Sequence, residues 1–144
     1  MNQDELARFF DDLEAWAAST TSPVPETIAY GDHEDQVLDL RAPAGDDRPP
    51  LALVLHGGFW RAPFTRSTTT ALAIALTQAG WASANVEYRR LGPGAYRPML
   101  DDVASARRRL DTFETVVAIG HSAGGHLALW LAAEGLVDAV VAIG

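Results

Sequence analysis

Thr115-Val116-Val117-Ala118-Ile119-Gly120-His121-Ser122-Ala123-Gly124-Gly125-His126-Leu127 is the stretch that decides the fold of this 144-residue chain. Thr115–Ile119 is an apolar run without alternation, as expected of a strand buried on both faces. It passes directly into Gly120-His121-Ser122-Ala123-Gly124, a G-x-S-x-G pentapeptide, and a helical segment, Gly124–Ala133, opens there and stops before Gly135. With 12 Gly and 6 Ser in the chain, chance alone yields the pentapeptide about 4% of the time. Its setting adds the meaning: strand, tight turn and helix in succession lift the central serine off the end of a sheet.

The pattern repeats outward. Leu51–Leu55, Trp81–Val86 and Val137–Ile143 are further short runs rich in Val, Ile, Leu and Ala. Between them lie the helical segments Ser67–Ala79, closed by Gly80, and Pro98–Leu110, opened by a proline suited to a first turn. Strand–helix alternation predicts a parallel sheet with right-handed crossovers and helices on both faces. Upstream, Thr27–Tyr30 and Gln36–Ala42 flank the acidic turn Gly31–Asp35. Asp39 and Arg41 interrupt Val37, Leu38 and Leu40 as in a half-exposed antiparallel hairpin, and the loop Pro43–Pro50 ends the unit. Over residues 4–18, Leu6, Phe9, Phe10, Leu13, Trp16 and Ala17 recur at helical spacing among acids. This amphipathic helix is expected to pack on the domain; the alternative is that it covers an entrance. The predicted class is α/β, a mostly parallel sheet with an N-terminal antiparallel hairpin.

Two stretches at the C-terminal ends of predicted strands carry chemistry, where open α/β sheets bind ligands. In the first, Ser122 is the candidate nucleophile, with Gly120 and Gly124 leaving room for strand and helix and a helix N-terminus beside the developing charge. The second, His56-Gly57-Gly58-Phe59-Trp60, precedes Ser122 by 66 residues (56 to 122). Its adjacent glycines let backbone N–H groups face a pocket, as donors for the oxyanion of acyl transfer must. Gly57 and Gly58, completed by the amide of Ala123, are the candidate donors. Phe59 and Trp60 are candidates to shape an acyl or aryl pocket, with packing beneath the loop the alternative for Trp60. His121 either lines the pocket or covers the turn, His56 is expected to organise its own loop, and His126 to make a structural hydrogen bond. Asp101 and Asp102 are expected to complement a helix dipole, and Arg107–Arg109 to form a solvated face.

His56-Gly57-Gly58-Phe59-Trp60, Glu87-Tyr88-Arg89, Asp102-Val103 and Gly120–Leu127 together resemble the α/β-hydrolase superfamily. The resemblance is to its esterase branch, which holds hormone-sensitive-lipase-like carboxylesterases and kynurenine formamidases. Phe59 stands where the lipase-like group has a third glycine, which brings the loop closer to the formamidases. The resemblance spans about residues 27–144; with the amphipathic helix and its linker over 1–22, it implies an α/β-hydrolase domain over 23–144 whose C-terminal strands are expected to be missing. It implies hydrolysis of carboxylic esters or aryl formamides, small-molecule substrates, through a Ser122 acyl-enzyme without cofactor or metal. A serine nucleophile also needs a base and an orienting carboxylate, which follow it in this superfamily. After Ser122 the chain offers only His126, Glu134 and Asp138, so the acid and base are expected beyond residue 144. Val137–Ile143, read as buried on both faces, also makes a poor edge. The competing reading is a non-catalytic fragment or binding module.

Composition narrows the classes. The net charge is −8 and every basic residue is Arg, which disfavours nucleic-acid binding and removes Schiff-base or P-loop lysine chemistry. Without cysteine there is no disulfide framework or thiolate metal site, and the four histidines lack metal-ligand spacing. The acidic start has no signal-peptide core and no apolar run is long enough to span a bilayer, so a cytoplasmic location is expected.

Overall fold

A computed structural model of the chain describes residues 3–45, 48–61, 63–90 and 96–144. Asp46 and Asp47 of the predicted loop, and the Leu6 side chain of the predicted apolar stripe, lie outside the described set. One six-stranded mixed sheet organises the described residues. Its strands are β1 (Glu26–Ala29), β2 (Val37–Arg41), β3 (Leu51–Leu55), β4 (Ala82–Val86), β5 (Val116–His121) and β6 (Ala139–Ile143), and the helices are α1 (Gln3–Ser19), α2 (Thr70–Gln78), α3 (Tyr96–Arg109) and α4 (Ala123–Ala133).

The strand order is β1-β2-β4-β3-β5-β6, antiparallel from β1 through β2 to β4 and parallel across β4, β3, β5 and β6. From β3 the chain crosses through α2 to β4 on one side, then through α3 to β5 on the other. The reversal makes the gap between the C-terminal ends of β3 and β5 the topological switch point. Right-handed crossovers put α2 on one face and α3 and α4 on the other, and accordingly α1 meets α2 while α3 meets α4.

Every residue of β3 and β4 is buried, the expected state of central strands covered on both faces. Their apolar side chains join Met99, Val103, Leu127 and Leu131 in the core. The polar residues of β4 are satisfied internally: Ser83 shares a 2.8 Å hydrogen bond with Thr77, and Asn85 accepts from Thr69 at 2.7 Å. Both contacts tie β4 to α2 or to the 3₁₀ turn before it (Arg66–Thr69).

Two expectations change. The last strand is not buried on both faces, since β6 is the sheet edge among the described residues and Val141 and Ile143 are 47% and 45% exposed. The third helix begins at Tyr96, so Asp102 lies beyond its first turn and serves no dipole. Asp102 is instead fully buried, accepting from the Arg89 guanidinium at 2.7 Å and from Gln36 at 2.8 Å. No described helix is long and apolar enough to cross a membrane.

Candidate active site

Ser122 sits between β5 and α4 with φ 51° and ψ −115°, a left-handed conformation that costs a non-glycine residue about 1–3 kcal/mol. Close packing enforces it. A Cβ on Gly120 would collide with the Gly124 backbone, and one on Gly124 would meet the carbonyls of Leu55 and His56. Only glycine therefore lets the turn press against the end of β3. The Ser122 N–H donates to the Ile143 carbonyl at 2.7 Å, and the Ser122 carbonyl accepts the His126 N–H at 3.2 Å, which starts the helix. Ser122 is exposed at the N-terminal, electropositive end of α4.

The His56–Trp60 loop faces it. A Cβ built on Gly57 would lie 3.3 Å from the Ser122 Cβ and 2.9 Å from His121 Nδ1, so Gly57 lies directly against the serine and its neighbour. Gly58, Phe59 and Trp60 follow with φ of 120°, 52° and 58°, a left-handed run closed by the Arg61 N–H donating to the Gly58 carbonyl at 2.9 Å.

Beneath the loop is a buried polar cluster. His56 is fully buried, donating from Nδ1 to the Gly57 carbonyl at 2.8 Å and from Nε2 to Glu87 Oε1 at 2.9 Å. Both ring nitrogens are thus engaged, and neither is left for Ser122. Its ring stacks on Tyr88 at 4.4 Å, and the Tyr88 hydroxyl donates to the His56 carbonyl at 2.7 Å. Glu87 also takes the Arg66 N–H at 3.0 Å and pairs with Arg90 at 2.9 Å. Burial pushes its carboxyl up, but the hydrogen bonds from His56 and Arg66 and the charges of His56 and Arg90 outweigh burial and hold it below the ordinary value. Burial, reinforced by the Glu87 charge, pushes the Tyr88 phenol up.

A cleft of about 380 Å³ opens beside Ser122, its walls including Gly57, Gly58, Phe59, His121 and Ile143. The far wall is Phe9, Phe10 and Leu13 of α1 with Phe64 and Leu72. Of the two roles weighed for the N-terminal helix, α1 takes the first, packing on α2, and its Phe9, Phe10 and Leu13 also line the cleft. Trp60 is not brought to the cleft. Its half-buried ring packs on the core and tilts against His126 at 6.4 Å, and His126 makes no side-chain hydrogen bond among the described residues. Arg107 also departs from a solvated face, donating to the Leu136 carbonyl at 2.9 Å.

Asp138 is spent elsewhere, accepting the Val116 N–H at 2.7 Å, one strand length or about 16 Å from His121. Glu134 is exposed where α4 ends. Among the described residues, then, no imidazole–carboxylate pair reaches Ser122, and no three His, Asp or Glu side chains converge on a metal position. Glu87 and the aromatic wall of α1 went unassigned in the sequence reading. An acid directly after the predicted strand Trp81–Val86, at its C-terminal end, is the available signal for Glu87.

An exposed serine on a strained turn after a central strand, facing a glycine loop at the switch point, defines the α/β-hydrolase fold with its nucleophile-elbow geometry. Residues 38–140 match the BD-FAE family model, and the chain belongs to that family of α/β-hydrolase-like esterases. Among solved structures it is similar to a candidate thioesterase from Silicibacter sp. TM1040, at 25% identity and TM-score 0.75, covering 92% of this chain and 50% of that one. Esterase B from Lactobacillus rhamnosis HN001 matches at 26% identity and TM-score 0.69, covering 96% of this chain and 51% of that one. A bacterial heroin esterase shares the fold at 22% identity and TM-score 0.67, with 94% and 49% covered. The chain therefore spans about half the length of these structures.

Proposed function

We propose that Ser122 is the nucleophile of a serine esterase whose oxyanion donors are the backbone N–H groups of Gly57, Gly58 and Ala123. The observation that carries this reading is the strained, exposed Ser122 set against Gly57. In the reaction, Ser122 Oγ bonds to the ester carbonyl carbon while a base takes its proton. The tetrahedral oxyanion collapses, the C–O bond to the alcohol breaks, and the base returns the proton to the departing alkoxide. Water repeats the sequence on the acyl-enzyme and frees the acid. The base and its orienting carboxylate belong, in this proposal, to sequence following Gly144. The superfamily's chain order, serine first and then acid and base, supports this.

Phe59 and His121 line the substrate cleft in this reading. Among the described residues the cleft wall carries no Asp, Glu or Arg side chain, which suits an uncharged, apolar acyl or aryl group. Esters are favoured over aryl formamides, because Esterase B of L. rhamnosis, 25% identical, is inhibited by a tributyrin phosphonate. The test is a side-by-side assay of p-nitrophenyl butyrate and N-formylkynurenine, with the chain joined to the sequence that follows it. Ser122-dependent hydrolysis of the ester is expected. Hydrolysis of the formamide alone would overturn the ester assignment, and activity retained in Ser122→Ala would overturn the nucleophile. Turnover of neither compound would support the second reading, a non-catalytic fragment or binding module.

A further inference from the structure

Arg90, beyond the end of β4, is a cation whose side chain is only 8% exposed. Its Nη1 lies between two acceptors, the Glu87 carboxylate at 2.9 Å and the Phe64 backbone carbonyl at 2.7 Å. Its Nη2 donates to Asp35 of the acidic turn at 2.9 Å. Nε has no partner, so among the described residues the Nη contacts alone offset the burial of the charge. Those contacts reach the glycine loop from both ends. The first continues from Glu87 to His56 at 2.9 Å and from His56 to the Gly57 carbonyl at 2.8 Å. The second holds Phe64, whose N–H donates to the Arg61 carbonyl at 3.2 Å. The Phe64 side chain fills the space that a Cβ on Gly58 would need.

We propose that Arg90 is a positioning residue for the Gly57–Gly58 donors, its Nη1 clasping the start of their loop through Glu87 and His56 and the end through the Phe64 carbonyl. This rests on the reading of those two glycines as oxyanion donors. The loop needs such a clasp. Phe59 and Trp60 are left-handed without being glycine, a conformation that persists only where the surroundings over-determine it. Arginine suits the task because its planar fork fixes the directions of its N–H donors, which a lysine ammonium on a flexible stem does not. Asp35 sets the plane of that fork, which gives the acidic turn between β1 and β2 a part in the site.

The test is fluorophosphonate labelling and backbone amide relaxation by NMR on the 144-residue chain, beside Arg90→Gln, Arg90→Lys and Asp102→Asn. The last is a control destabilised away from the loop, since its contacts run to Arg89 and Gln36. Arg90→Gln should slow adduct formation on Ser122 at saturating probe about 10- to 100-fold, as misplaced donors do. The half-saturating probe concentration should not change. Order parameters of the Gly57 and Gly58 amides should fall from the rigid range to below about 0.6. Arg90→Lys should recover part of both effects, and Asp102→Asn should produce neither in the folded molecules. Unchanged labelling and order parameters in Arg90→Gln would overturn the proposal while leaving Ser122 as nucleophile. Equal slowing in Arg90→Gln and Asp102→Asn would also overturn it, by showing lost stability alone. Should Arg90→Gln fail to fold, Arg90→Lys decides, and labelling as fast as that of the unmodified chain contradicts the proposal. An unmodified chain that forms no adduct on Ser122 would sink the nucleophile reading instead. The order parameters then decide for Arg90: lowered ones in Arg90→Gln support the clasp and unchanged ones refute it.

Discussion

His56 and Glu87 share a 2.9 Å hydrogen bond in which the imidazole is fully buried and the carboxylate only 4% exposed. The pair links the chain just after β3 to the chain just after β4, and the same imidazole holds the Gly57 carbonyl. Removing one partner strands the other in the core. Glu87→Gln and His56→Ala are each expected to lower unfolding stability by about 3–5 kcal/mol in urea titration. Both should also slow any reaction at Ser122, because the Gly57–Gly58 backbone loses its support.

Acid should expose the same pair. The folded Glu87 and Asp39 carboxyls both lie below their ordinary values. Burial raises each, but for Glu87 the contacts with His56 and Arg66 prevail, and for Asp39 those with Arg66 and Thr27. In this range the unfolded chain binds more protons, so stability rises with pH. The contribution is fully present above the ordinary values of 4.5 and 3.8 and is lost as pH falls through the folded ones. Tyr88, raised by burial and then by Glu87, works at the other end: its contribution is complete below the ordinary value of 10.0 and is lost as pH rises above it. Thermal melts should show a plateau bounded by these values, and Glu87→Gln should flatten the acid limb.

The turn at Ser122 tolerates no side chain at its flanks. Gly120→Ala and Gly124→Ala each push a methyl into backbone carbonyls, an overpacking expected to cost about 1–3 kcal/mol. Gly125→Ala has its nearest contacts at 3.1 Å and beyond and should cost less. Melting the three variants in parallel checks the ranking.

Asp102 is a structural group. Asp102→Asn removes the carboxylate charge from Arg89, whose side chain is 28% exposed beside a fully buried partner, and about 3 kcal/mol of stability should go with it. Activity per folded molecule should be unchanged, since the contacts of Asp102 run to Arg89 and Gln36. Active-site titration alongside denaturation separates the two effects.

The α1 wall sets what fits beside Ser122. Phe9 and Phe10 meet edge to face at 5.8 Å, and both line the cleft. Phe10→Ala is expected to shift the preferred chain length of alkyl phosphonates reacting at Ser122 upward by one or two methylenes, each worth about 1–3 kcal/mol of discrimination. A series of phosphonates of increasing length reads this directly.

The parallel strands and their helices were legible because their runs were short, apolar and punctuated by glycine and proline. The elbow was legible because Gly120 and Gly124 are demanded by a backbone contact that leaves its mark in sequence. Asp102 was misjudged, since an acid near a helix start looks the same whether it serves the dipole or Arg89, which lies 13 residues earlier (89 to 102). The role of Phe9 and Phe10 could not be separated from packing, because one apolar stripe serves both α2 and the cleft. Burial of β6 could not be judged either, since composition does not say whether a strand has a neighbour on its far side.

The most direct measurement of the central claim is intact-mass and peptide mapping of the 144-residue chain during long exposure to a fluorophosphonate, beside Ser122→Ala. The expected result is one adduct, on Ser122, absent from the variant. It should form slowly, because without acid and base only the oxyanion donors and binding remain, worth about 10³–10⁴ over water. An adduct that persists in Ser122→Ala, or that maps to another residue, would contradict the assignment of Ser122. Rapid, catalytic turnover by these residues alone would contradict the placement of the base beyond Gly144.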